Sequence, residues 1–198
     1  MSALLEADLT WTGAAFESGI QIAVDTGGRV EAVGALGRAG ATRLRGIALL
    51  PGFVNAHSHA FQRGLRGHGE RFPAGAGSFW TWREAMYALV DSLDRASLRR
   101  ISARAFAEMR DAGITTVGEF HYVHHEHEGD FALDEAILEA AADAGIRLVL
   151  LYTFYATGAP GRPLAGGQRR FATPTVDGFW RQVDRLAARL DPATQTLG

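Results

Sequence analysis

The sequence predicts an α/β protein in which parallel strands are covered by helices, preceded by a small β unit. Three observations carry this. After Pro51, short apolar runs alternate with amphipathic segments of helical period. Those runs, such as "ITTVGEF" and "RLVLLYTFY", are nearly continuous, as in strands buried on both faces. Ahead of them, β-branched or apolar runs are broken by Gly pairs at turn positions.

From Leu4 to Gly46 the runs "ADLTWTG", "IQIAVDTGGRVEAVGA" and "TRLRGIALLPG" have the pattern of a small antiparallel β unit. Its clearest hairpin turns at Thr26-Gly27-Gly28. The expected division is 1–48 for this unit and 49–198 for the strand–helix part. The run ending at His57 reads as the first parallel strand. Leu98, Ile101, Ala105, Met109 and Ala112 then fall at helical spacing, and Gly113 stops that helix as a glycine just past a C-terminus does. "DAGI" at Asp111–Ile114 recurs at Asp143–Ile146, after a helix carrying Leu133, Ile137, Leu138 and Ala141. A third helix carries Phe179, Val183, Leu186 and Leu190, and a further strand is expected at "TQTLG". The pattern suits an open doubly wound sheet or part of a closed barrel. No GxGxxG or GxxxxGK follows the first strand, which weakens the nucleotide-binding version of the open sheet. A full eight-stranded barrel takes about 250 residues, so a barrel would be present here as roughly its first half.

Composition narrows the function. A formal net charge of −2 leaves no electrostatic footprint for nucleic acid. There is no Cys, which excludes disulfides, thiolate zinc sites and thiol chemistry from these residues and points to a cytoplasmic setting. No basic-then-apolar leader is visible, and no apolar run nears the roughly 18 residues of a spanning helix, so no membrane is expected.

Chemistry concentrates at two strand ends. His57 and His59 lie on one face of a strand with Cα atoms about 6.6 Å apart, so both imidazoles can meet one cation while Ser58 points away. A catalytic zinc takes about three protein ligands plus water, and a third must come from elsewhere. "GEFHYVHHEHEG" after the second strand holds His121, His124, His125 and His127, with Glu119, Glu126 and Glu128, and could supply it. His127 and Glu128 read as solvated, whereas His121 and Tyr122 abut the strand end and are placed to line a pocket. In "FWTWREAMY", Phe79, Trp80 and Trp82 read as an aromatic seal for a helix, and Arg83 as a fork for a carboxylate. Gln62 offers an amide at the rim of the metal pocket. The Gly/Pro-rich segment Tyr155–Pro174 is long enough to be a lid, with disorder the competing reading.

"LLPGFVNAHSHAFQRG" resembles the first-strand motif of the amidohydrolase superfamily. The resemblance implies an α/β fold in which this chain is the N-terminal portion of an amidohydrolase-type (β/α)8 TIM barrel, with a small β-sandwich formed partly by the N-terminus. Together "HSHAFQR", "SFWTWRE", "EFHYVHH" and "GGQRRF" are similar to the branch that hydrolyses N-formimino-L-glutamate to N-formyl-L-glutamate and ammonia in histidine degradation. It implies one zinc ion per subunit, with iron the alternative, since imidazole and carboxylate suit several cations. His57 and His59 match two metal ligands; Gln62, Arg83 and Tyr122 match positions that contact the substrate. The remaining ligands and the proton-transferring His are expected beyond Gly198, so the 198-residue chain is expected to be inactive alone and the full-length protein a homodimer. Water activated by the metal would attack the formimino carbon, with carboxylate and imidazole moving the proton. Two other readings stand: a related aminohydrolase acting on a ring such as guanine, and an inactive truncated fragment.

Overall fold

The computed structural model describes residues 2–68 and 77–198, and the chain divides into two compact units, Met1–Gly52 and Phe53–Gly198. The first unit holds strands β1 (Ala3–Trp11), β2 (Phe16–Glu17), β3 (Gln21–Val24), β4 (Val30–Gly34) and β5 (Thr42–Leu49). β1 pairs antiparallel with β2 and β3, and β3 with β4. In the β3–β4 turn the Asp25 carboxylate accepts from the backbone N–H of Gly27 and of Arg29, 2.8 Å each. Gly28 completes it at φ +79°, a conformation glycine adopts without penalty.

β5 corrects the expectation of a wholly antiparallel unit. It runs parallel to β1 from Leu5 to Thr10. Because β2 and β3 occupy the other edge of β1 at its two ends, the chain leaving β4 crosses over to the free edge and keeps its direction. Strand direction leaves no trace in an alternating pattern, so the sequence could not distinguish the two pairings.

In the second unit β6 (Phe53–Ser58), β7 (Ile114–His121), β8 (Arg147–Tyr152) and β9 (Gln195–Leu197) form a parallel sheet in the order β6-β7-β8-β9. Each strand is added beside the last, without the reversal found at the switch point of a doubly wound sheet. Helices α1 (Phe79–Ser92), α2 (Arg95–Asp111), α3 (Ala132–Ala144) and α4 (Val176–Ala187) intervene. Asp94 caps α2 reciprocally: its carboxylate accepts from Ser97 N–H at 2.6 Å, and Ser97 Oγ accepts from Asp94 N–H at 2.9 Å. Both "DAGI" repeats end a helix on a left-handed glycine, Gly113 at φ +87° and Gly145 at φ +68°.

Phe106 of α2, Ile137 of α3 and Leu186 of α4 pack with Val117, Leu148 and Leu150 of the sheet in one buried core. The opposite face of the sheet carries Val54 and Phe120, both exposed, with Val149 and Leu151 half-buried. Gly118 lets β6 and β7 approach: a Cβ there would lie 3.0 Å from the carbonyl oxygen of Ala56. Among the described residues no helix is long and apolar enough to cross a membrane.

Candidate metal and substrate site

His57 and His59 sit at the C-terminal end of β6, where strand alternation sends Ser58 the other way into the core. Their Nε2 atoms are 3.1 Å apart. Two nitrogens bound at ~2.0–2.1 Å to one tetrahedral ion stand about 3.3–3.4 Å apart, so the pair spans one edge of such a site. His59 Nδ1 lies 3.0 Å from the carbonyl oxygen of Phe120. That oxygen only accepts, so Nδ1 carries the proton and Nε2 keeps its lone pair for a cation. Burial, with His57 beside it, holds the His59 imidazole below its ordinary pKa against the opposing bond to Phe120. The pair fits a zinc or similar divalent ion, and among the described residues no third His or carboxylate joins it.

Behind this segment lies Glu119 of β7, the first carboxylate of the run "GEFHYVHHEHEG". Its Oε1 accepts from Ala60 N–H at 2.7 Å, the Ser58 hydroxyl donates to the same carboxyl, and Oε2 has no hydrogen-bond partner among the described residues. Burial pushes this carboxyl up to about 7, against the lowering effect of those two bonds. Glu119 thus ties the His57–His59 turn to the neighbouring strand.

Gln62, Arg83 and Tyr122 are brought together with His59 in one pocket of about 360 Å³. Gln62 Nε2 donates to the Tyr122 hydroxyl at 3.0 Å. Burial pushes the Tyr122 phenol up to about 12, with the Gln62 bond opposing. The Arg83 guanidinium lies 5.6 Å from the Trp80 ring and 5.2 Å from the Tyr87 ring, and its Nε and Nη2 donate to the Tyr87 hydroxyl at 3.2 and 2.8 Å. Among the described residues it forms no ion pair with a carboxylate, whereas Arg63, Arg95, Arg99 and Arg185 each do. The aromatic seal is only partial: Phe79 and Trp80 are exposed, and Trp82 packs against the core. Tyr155 and Phe171 also line the pocket, from a Gly/Pro-rich segment whose sequence does not reveal where it folds back.

The His-rich segment behaves differently. His121 turns away from the pocket, because alternation puts it on the opposite side from Phe120 and Tyr122; this corrects its expected role as a lining residue. His121 Nε2 and His124 Nδ1 donate to Asp134 Oδ1 at 2.9 and 2.8 Å, and the Tyr152 hydroxyl and Gln182 Nε2 donate to Oδ2 at 2.8 Å each. The other ring nitrogen of His124 donates to the Thr153 carbonyl at 3.0 Å. His121, His124 and Asp134 have the atom types and proximity of a metal site. Their facing atoms are already engaged in hydrogen bonds to one another, and the cluster ties the β7 loop to α3, β8 and α4. Burial alone would raise the Asp134 carboxyl, but the charge of His124 and the bonds from both histidines outweigh it and hold it well below the usual range. His125 donates from Nε2 to the Ala172 carbonyl at 2.7 Å, and its Nδ1 accepts from Phe131 N–H. His127 and Glu128 are exposed.

The segment Tyr155–Pro174, expected as a lid or as disorder, is stapled. Residues Gly166–Phe171 form a 3-10 turn. The Arg170 guanidinium donates to the carbonyls of His125 at 2.8 Å, Leu93 at 2.5 Å and Val90. The Arg170 carbonyl in turn accepts from the N–H groups of His124 and His125. The turn therefore joins the end of α1 to the His-rich segment.

Known proteins share the family and the fold of this chain. The model of the amidohydrolase family matches residues 48–195. The chain is 44% identical over 165 residues to the formimidoylglutamate deiminase of Pseudomonas aeruginosa, covering 80% of this chain and 36% of that protein. An amidohydrolase from Brucella melitensis superposes with a TM-score of 0.79 at 29% identity, over 99% of this chain and 45% of that one. The fold also matches atrazine chlorohydrolase of Arthrobacter aurescens TC1, crystallised with zinc, with a TM-score of 0.78 at 19% identity over 99% of this chain and 46% of that one. The chain thus spans 36% of the length of that curated relative and less than half of each of these solved structures. The family match covers most of the sequence and includes the His57–His59 strand end, the Arg83 pocket and the parallel sheet that positions both; the chain belongs to the amidohydrolase family.

Proposed function

We propose that this chain is the N-terminal part of a metal-dependent hydrolase that converts N-formimino-L-glutamate and water into N-formyl-L-glutamate and ammonia, a step of histidine degradation. Arg83 carries the reading. It is a cation without a carboxylate partner among the described residues, held between aromatic rings in the pocket that His59 lines. A glutamate carboxylate supplies the missing charge through paired N–H···O bonds, which a neutral purine ring does not. The 44% identity to the Pseudomonas deiminase supports the same substrate.

The sequential strand order and the exposed apolar side chains on the face of the sheet away from α2, α3 and α4 support a (β/α)8 barrel of which β6–β9 are the first strands, with the first unit belonging to a β-sandwich. His57 and His59 stand at the C-terminal strand ends, where such barrels place their chemistry. In this reading they hold one zinc, or iron, together with ligands from the remainder of the protein. Bound there, the metal supplies Lewis acidity and a water acidified toward neutral pH. Arg83 anchors a carboxylate of the substrate. Tyr122 stays protonated at neutral pH, so its hydroxyl and the Gln62 amide can orient the formimino group beside the histidines. Hydrolysis replaces the terminal C=NH by C=O and releases ammonia. The proton-transferring residues belong to the remainder. The protein is a cytoplasmic homodimer in this reading, acting on a small molecule without nucleic acid or membrane.

The aromatic lining of the pocket also suits a planar ring, so a guanine-type deaminase is the second reading. Ammonia release by the full-length protein separates the two. The first reading expects turnover of N-formimino-L-glutamate and its loss in Arg83→Gln; turnover of guanine alone overturns it.

A further inference from the structure

The turn "GGQRRF" also connects to Arg83. Gln168 is buried and does not line the pocket. Its Nε2 donates to the Tyr87 hydroxyl at 3.2 Å, the same oxygen that accepts from Arg83 Nε and Nη2, and its Oε1 accepts from Ala165 N–H at 3.2 Å. Gln168 also hydrogen-bonds Tyr155. Two glycines make room for this chain of contacts. A Cβ on Gly158 would come within 2.7 Å of Gln168 Oε1, and one on Gly167 within 3.2 Å of Tyr87 Cδ1 and 3.0 Å of Asp91 Oδ1. The three carbonyls gripping Arg170 hold the whole turn against α1.

An arginine fork is effective in proportion to how little of its freedom is lost on binding. The Tyr87 oxygen engages the Nε edge of Arg83 and leaves Nη1 without a protein acceptor among the described residues. We propose that Tyr87 and Gln168 are positioning residues that hold the Arg83 guanidinium ready for a carboxylate, with Gln168 reaching Arg83 only through Tyr87. The inference rests on the reading of Arg83 as the carboxylate-binding residue.

The test uses the full-length protein, with glutarate as the probe in calorimetric titration and N-formimino-L-glutamate in steady-state kinetics. Tyr87→Phe keeps the ring and removes the hydroxyl; Gln168→Leu keeps the bulk and removes the amide. Each is expected to weaken glutarate binding roughly tenfold and to raise KM more than it lowers kcat. The double variant is expected to be no weaker than Tyr87→Phe, because one chain of contacts is broken only once. Gln168→Leu with unchanged glutarate affinity, or additive losses in the double variant, overturns the proposal. If N-formimino-L-glutamate is not turned over but glutarate binding still depends on Arg83, Tyr87 and Gln168, the positioning role stands and the substrate assignment fails.

Discussion

Glu119→Gln is the perturbation that best tests the electrostatics behind the candidate metal strand. The carboxyl is buried with one oxygen unpartnered among the described residues, and burial raises its pKa from an ordinary 4.5 to about 7. Between those values the unfolded chain is ionised while the folded chain keeps its proton. The folded state therefore binds more protons there, and stability falls as pH rises from about 4.5 through 7. At about 1.4 kcal/mol per pH unit the gap amounts to about 3 kcal/mol, lost in full above pH 7. Glutamine keeps an acceptor for Ala60 N–H and Ser58 but has no charge to bury. Any constant cost of its unpaired amide, ~1–3 kcal/mol, applies equally at every pH. Urea denaturation of both proteins at pH 5 and pH 8.5 is thus expected to show the variant gaining about 2–3 kcal/mol on the wild type across that interval. A stability difference that stays constant within about 0.5 kcal/mol refutes the reasoning.

Asp134→Asn removes a carboxylate that accepts four hydrogen bonds, and is expected to cost about 3–5 kcal/mol in chemical denaturation. Because the native carboxyl is held low, its contribution is present above the ordinary carboxylate range and lost as pH falls below that range toward the native value, so the variant is expected to lose part of the wild type's acid sensitivity. Gly118→Ala drives a methyl to within 3.0 Å of the Ala56 carbonyl oxygen and is expected to cost about 1–3 kcal/mol by the same assay; a cost below ~0.5 kcal/mol contradicts the close approach of β6 and β7. Elemental analysis after dialysis separates the two histidine clusters. His59→Ala is expected to lower the bound metal of the full-length protein several-fold, whereas His121→Ala is expected to leave it unchanged.

The elements were legible because their signals are local. Helical spacing from Leu98 to Ala112, the repeated Gly stop after α2 and α3, and the Asp25–Arg29 turn each depend on residues within a turn or two of one another. His57 and His59 were legible as a converging pair for the same reason, since strand alternation alone places them on one face. The direction of β5 was not, because parallel and antiparallel strands share the same alternation.

The sequence by itself determined the strand–helix succession, the paired histidines and the motifs that mark the family. Only the tertiary structure decided which chemistry-bearing side chains meet. Asp134 gathers donors from His121, His124, Tyr152 and Gln182, and Arg83 reaches Gln168 through Tyr87 across 81 positions of chain between Tyr87 and Gln168. Of the four histidines in one dense run, His121 and His124 thereby tie a buried carboxylate, while His125 bonds the backbone of Ala172 and Phe131 and His127 faces outward. Hydrogen bonds between distant residues form only once the sheet and helices have brought their backbones together, so no local pattern encodes them.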